Sequence, residues 1–338
     1  ALVSTLGAAS VAEAVTATMS GNHQTGMEFD SPTGGTDTNG QINDNNFSVA
    51  LSETTDGGMT ISSSFKVMDE NTKEDYDAGF TLAFTDGSKL DVLNAGNASG
   101  SHAVSIPSSA GAEGVTVTST NSAPTGLDFM TASTALGVEY HSASDFLADG
   151  LKMSFSASTD SGAAASSTYR TDSHVALGAT YVTDLGDSAV TIGGGWSGSD
   201  GSKTGTAAIT NDPGGIHVGV SAVTGDLTVA VGFADGDTTA GDATANEVAG
   251  EVVKAGVKYV SGDLTFNVGV ASGSSKDGAI GTAGTTEDSK DVTSASISYA
   301  VASGVTAILG YTDVDSSDEG SNDTTDGSAW YIGANMSF

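Results

Sequence analysis

Six acids crowd one stretch near the carboxyl end: Asp313, Asp315, Asp318, Glu319, Asp323 and Asp326. Carboxylates are hard oxygen ligands, so the run suits Ca²⁺ or Mg²⁺ in an outer loop, and such ions could bridge it to an anionic surface. The spacing required of an EF-hand loop fails after Asp313-Val314-Asp315, and a solvated, mutually repulsive face is the competing reading. Five histidines (His23, His102, His141, His174 and His217) show no i,i+4 pairing or other metal-ligand spacing. Ser and Asp are abundant, yet nothing marks a nucleophile beside a base. Paired glycines such as Gly193-Gly194 lie in extended runs, away from any strand–helix turn that would cradle phosphate. The sequence makes no case for an enzyme, and no cofactor is required.

Charges within the alternating runs mostly fall on the polar beat: Lys66, Asp77, Lys89, Asp91, Glu139, Lys152, Lys254 and Lys258. What positions them is therefore a strand, in which successive side chains point to opposite faces. Leu227-Val229-Val231-Phe233 alternates with Thr228-Ala230-Gly232, and Leu264-Phe266-Val268-Val270 with Thr265-Asn267-Gly269. About 16 such runs span the chain from residue 15 to residue 338.

The connections alternate in length. Short turns at Glu53–Gly58, Asp86-Gly87, Ala143–Asp149, Thr183–Asp187, Val223–Asp226, Ser261-Gly262 and Ala302-Ser303 often set Gly beside Asp or Ser, as tight hairpins require. The links between them are mostly longer and polar, as at 197–214, 235–250, 272–290 and 313–327. An antiparallel meander sorts odd connections to one end and even ones to the other. Tight turns at one end and long loops at the other are the layout of an outer-membrane β-barrel. A Greek-key sandwich has no reason to sort loop lengths in this way.

Composition fits. The 338 residues include no Cys and carry 42 acids against 10 Lys+Arg, a formal charge of −32, so no basic patch exists for nucleic acid. No apolar run is long enough for a transmembrane helix. Thirteen aromatics share the apolar face of their strands and fall at two levels. Phe47, Phe65, Tyr76, Trp196, Phe233, Tyr311 and Trp330 lie toward the long loops; Phe84, Tyr140, Tyr181, Tyr259, Tyr299 and Phe338 lie toward the short turns. Two girdles at the lipid headgroups are expected of a barrel. The opposite face is too small and polar to fill a dry core, which implies water inside.

One connection breaks the pattern. Ala95–Thr134 is long and apolar, with Glu113 and Asp128 its only charges. Folded inward it would narrow the lumen, setting Glu113 and Asp128 against wall lysines in a transverse field. An outward loop covering a neighbouring subunit is the alternative. Ala1–Ala14 ends in Ala12-Glu13-Ala14, the pattern of a signal-peptide remnant, against which stands a retained amino-terminal helix or plug.

The last run, Trp330-Tyr331-Ile332-Gly333-Ala334-Asn335-Met336-Ser337-Phe338, and the long segment after the fifth run together resemble the general diffusion porins of Gram-negative bacteria, particularly the alphaproteobacterial type. That resemblance, over residues 15–338, implies a homotrimeric 16-stranded barrel in the outer membrane, among lipid and lipopolysaccharide. It also implies passive diffusion of small hydrophilic solutes, an inward loop at Ala95–Thr134, and a terminal Phe338 read by the outer-membrane assembly machinery. The loop lacks a Pro-Glu-Phe-Gly signature, and Arg170 is the only arginine, which argues against strong anion selectivity and for a weak cation preference. A Gly-rich structural surface protein (an adhesin or surface-layer β protein) shares the composition, but a solenoid should show a constant short period, and none is present.

Overall fold

The structure, a computed structural model, describes residues 2–5, 15–69, 72–73, 79–93, 97–109, 123, 125–127, 136–159, 169–203, 210–211, 214–238, 248–277, 286–317 and 326–338. Sixteen strands form the wall: β1 (Thr16–Pro32), β2 (Thr38–Thr54), β3 (Thr60–Asp69), β4 (Phe80–Ala83), β5 (Lys89–Val92), β6 (Leu136–His141), β7 (Leu151–Thr159), β8 (Tyr169–Leu185), β9 (Ser188–Lys203), β10 (Gly214–Thr224), β11 (Leu227–Thr238), β12 (Val248–Ser261), β13 (Leu264–Asp277), β14 (Thr286–Ala302), β15 (Val305–Ser317) and β16 (Gly327–Ser337). Each pairs antiparallel with the next, and β16 pairs with β1, so the sheet closes. Closure leaves no long edge open to another chain. Around the seam, Phe338 exchanges backbone hydrogen bonds with Gly21 (3.1 and 3.2 Å), and Leu2–Thr5 carries the pairing of β1 onward along Thr16–Met19.

The short turns follow from local chemistry. At Gly186-Asp187, Gly225-Asp226 and Gly262-Asp263, two residues join the strands, and the glycines have φ of 64°, 56° and 58°. Positive φ at the first central position only is the type II′ pattern, whose twist matches that of the flanking strands.

The two faces are reversed relative to a water-soluble sheet. Leu177 is 48% exposed, while its neighbours Ala176 and His174 are at most 1% exposed. Val218, Val220, Val229, Val231, Val268, Val270, Leu309 and Ile332 are likewise exposed, whereas Ser154, Ser156, Ser158, Ser294, Ser296 and His217 are buried. Water would penalise the apolar face and lipid would not, so the apolar face meets the bilayer. The register also aligns the girdles. Tyr259 faces Phe266, and Tyr140 faces Phe155, beside the short turns. Tyr311 faces Trp330, and Trp330 faces Phe29, toward the other end.

Strands run further than the sequence reading put them. Residues 197–203, 235–238, 272–277 and 313–317, read as loop, belong to β9, β11, β13 and β15, so Asp313 and Asp315 lie in a strand. The largest extension is at the first two runs. The alternation suggested strands ending near residue 22 and restarting near residue 46, with a long loop between. Instead β1 and β2 continue to Pro32 and from Thr38, because backbone pairing continues through positions where polar side chains interrupt the outward apolar pattern. Tyr76, expected in the outer girdle, lies outside the described residues, as does most of the amino-terminal stretch before Val15.

Candidate functional site

The segment 97–109, which follows β5, is positioned largely by polar and glycine positions on the wall. The Ala98 backbone donates to Ser156 Oγ on β7 (3.1 Å), and the Ser109 backbone donates to Ser294 Oγ on β14 (3.1 Å). Between these ends, His217 Nε2 lies 2.8 Å from the Ser99 carbonyl oxygen. Gly178, Gly193, Gly195, Gly219, Gly256 and Gly269 lie directly beneath the segment. A methyl group at Gly195 would come within 2.5 Å of Ser99 Cα, and one at Gly256 would collide with the Pro107 carbonyl oxygen. Glycine is required here because backbone lies on backbone. Farther along, Leu127 and Ile106 pack against Ala234 and Val252.

His102 is the polar anchor. Its ring nitrogens lie 2.6 Å from Thr180 Oγ1 and 2.8 Å from Ser154 Oγ. Burial, and then the nearby His141, His217 and Lys152, push its pKa down to about 4, so the imidazole is neutral at pH 7. Ser154 Oγ in turn lies 2.9 Å from His141 Nδ1. His141 belongs to a compact group with Asp91 and Glu139, whose ligand atoms all lie within 4.8 Å of one another. His141 Nε2 is 2.9 Å from Asp91 Oδ2 and 3.4 Å from Glu139 Oε1. Lys89 Nζ reaches Asp91 Oδ2 at 3.4 Å, and Ser101 Oγ donates to Glu139 Oε1 at 2.9 Å.

Of the residues singled out in the sequence, Lys89, Asp91 and Glu139 thus come together, with the 97–109 segment over them. Lys254 lies elsewhere, lining a cavity of 240 Å³ bounded by Pro107, Ser108, Ser109 and Thr125 on one side and Ser294 and Thr312 on the other. Lys66 is exposed on β3, in register with Ser48. Asp313 accepts from the Tyr311 hydroxyl (3.1 Å), and Asp315 faces Asp291 in register. Phe338 packs on Phe47, ring centroids 6.3 Å apart. Phe47, expected toward the long loops, thus stands instead at the short-turn level of Phe338, because both flank Gly21 in register. Asp77, Glu113, Asp128, Asp318 and Glu319 lie outside the described residues.

Three features escaped the sequence reading. His174 and His217 sit on the inner face, read as wet, yet are 1% and 4% exposed. The 97–109 segment covers His217, and a single strand's pattern cannot reveal a cover. The Asp91–Glu139–His141 group was hidden because its members are cross-strand partners, Asp91 opposite Glu139 and Lys89 opposite His141. A hairpin turn would have fixed that register, but β5 and β6 are joined by the longest connection in the chain. The glycine stripe was visible only as composition.

The fold has known counterparts. OmpT of Vibrio cholerae, an outer-membrane protein solved in a trimer form, matches with a TM-score of 0.65 at 17% identity, over 96% of this chain and all of that one. An anion-selective porin from Comamonas acidovorans matches at 0.62 and 11% identity, over 96% of this chain and all of that one. A mutant of the Rh. blastica porin matches at 0.56 and 15%, over 95% of this chain and all of that one. Among curated proteins none matches the chain. The Gram-negative porin family model matches residues 1–317. On that match and this barrel, the chain belongs to the Gram-negative porins of the bacterial outer membrane.

Proposed function

We propose that the chain forms a water-filled channel for passive diffusion of small hydrophilic solutes, narrowed where the segment 95–134 folds into the lumen. One observation carries this reading: the segment 97–109 lies on the polar face of the wall, opposite the face that meets lipid. The glycines support the inward path: Gly178, Gly193, Gly195, Gly219, Gly256 and Gly269 lie on the polar face and carry the segment along the inner wall from β8 to β13.

A modest cation preference follows from the charge of −32 and the single arginine. Glu113 and Asp128 remain the proposed acids of the constriction, with Lys254 facing the loop across the 240 Å³ cavity. The acids Asp291, Asp313 and Asp315 stand beyond the Tyr311–Trp330 level, at headgroup height, where Ca²⁺ or Mg²⁺ would bridge them to lipopolysaccharide phosphates.

A homotrimer is supported by one region of the outer face. His23 and Asn45 are hydrogen-bonded to each other, and Asn45 donates to Asn43 at 3.3 Å. These residues share the face of the exposed Met27 and lie between the Phe29–Trp330 and Phe47–Phe338 levels, at mid-bilayer depth. Polar groups there are costly in hydrocarbon, and a second copy of the chain would shield them.

Swelling of liposomes loaded with the purified protein tests the reading. Entry of small sugars at rates that fall with solute size is expected, with a reversal potential of the cation sign under a salt gradient. Impermeable liposomes would refute the channel, and an anion-signed potential would refute only the preference.

A further inference from the structure

Asp91 and Glu139 are directly opposed across β5 and β6, on one face, with side chains 9% and 2% exposed. Like charges at directly opposed positions destabilise a sheet, and burial raises the cost. Among the described residues, the lysine at hydrogen-bond distance is Lys89, whose side chain is 45% exposed and reaches Asp91 at 3.4 Å. We infer that Asp91, Glu139 and His141 form a binding site for a divalent transition-metal ion such as Zn²⁺.

The geometry has the right scale. Two ligands at ~2.1 Å from a tetrahedral ion stand about 3.4 Å apart. His141 Nε2 stands 2.9 Å from Asp91 Oδ2 and 3.4 Å from Glu139 Oε1. One imidazole nitrogen with two carboxylate oxygens suits Zn²⁺, Mn²⁺ or Fe²⁺ and falls short of the six to eight oxygens Ca²⁺ takes. An outer ring of hydroxyls is present: Thr81 donates to Asp91 Oδ1, Ser101 to Glu139, and Ser154 meets His141 Nδ1. Such partners orient ligands at metal centres. His141 also lines a cavity of 430 Å³ beside Lys89, His102 and Lys152, which gives an ion an entrance and water the fourth position. Because Ser101 belongs to the segment that crosses the wall, an ion here would tie that segment to β5 and β6.

The test uses the purified, detergent-folded protein, stripped with chelator and titrated with Zn²⁺ by calorimetry and with Co²⁺ by visible absorption. One ion per chain is expected, with Co²⁺ bands of a low-coordinate site. His141→Gln and Asp91→Asn should each weaken binding about tenfold or more. Asp313→Asn with Asp315→Asn should leave it unchanged. Heat-modifiable gel mobility establishes that each variant is folded, and the wild-type stoichiometry needs no variant. No uptake by the stripped wild type, undiminished uptake by folded His141→Gln, or loss only on changing the outer acids would overturn the proposal.

Discussion

Two parts of the same barrel treat the membrane differently. On β8–β13 the outward positions are Leu177, Val218, Val229, Val253 and Val268, and the inward ones include the glycines beneath the 97–109 segment. On β1 and β2, at the same depth, the outward positions are His23, Thr25, Asn43 and Asn45. The contrast separates two kinds of cover. Lipid suffices for the first region's outer face, and its inner face is covered by the chain's own segment. The second region's outer face calls for protein. Strand geometry is the same in both, so what differs is the neighbour each face is built to meet.

The largest effect should come from disturbing the inner contact. Gly195→Leu or Gly256→Leu inserts a side chain where backbone already sits, at a cost of about 1–3 kcal/mol or more, relieved by displacing the segment. The single-channel conductance step should change in these variants while the barrel still shows heat-modifiable mobility. An unchanged step would mean that the segment does not set the narrowest point.

Next is charge at the two outer faces. Val229→Arg places a cation in lipid and should cost roughly 2–4 kcal/mol of barrel stability in vesicle denaturation, without altering assembly. Asn45→Arg should instead split the oligomer on a native gel, by opposing like charges around the symmetry axis. If both variants dissociate, or neither does, the contrast between the regions fails.

A smaller effect is expected from pH. His102 is held neutral in the folded protein, with a pKa of about 4 against 6.5 when free. Its contribution is fully present above pH 6.5 and is lost as pH falls from 6.5 toward 4, because the released imidazole takes up a proton that the docked one resists. Hydrogen exchange at residues 97–109 should accelerate across that window in the wild type. The pH dependence should flatten in His102→Gln, which keeps a polar side chain.

Smallest is the turn. Gly262→Ala sets a Cβ at φ 58° and should cost about 1 kcal/mol without touching conductance.

These regions also explain how much was legible. The regular alternation of β10, β11 and β13 announces strand, facing and barrel together, since each apolar beat meets lipid. His23, Asn43 and Asn45 break that rhythm, and so hid the outer halves of β1 and β2 inside an apparent long loop. The signal misled because alternation reports the environment of a face and carries no direct record of backbone pairing. Lys89, Asp91 and Glu139 were recognisable as inward charges, but their meeting with His141 depends on a register that no tight turn fixes. The fold was thus readable from local pattern, whereas the site depends on long-range register and on what covers the inner wall.

The central claim is that this barrel holds an open aqueous path, and conductance of single molecules in a planar bilayer tests it most directly. Purified protein added to a salt-bathed membrane should give discrete, ohmic steps that persist at low voltage, with a small cation preference under a gradient. A protein with barrel-like gel mobility that inserts and yet passes no current would contradict the account.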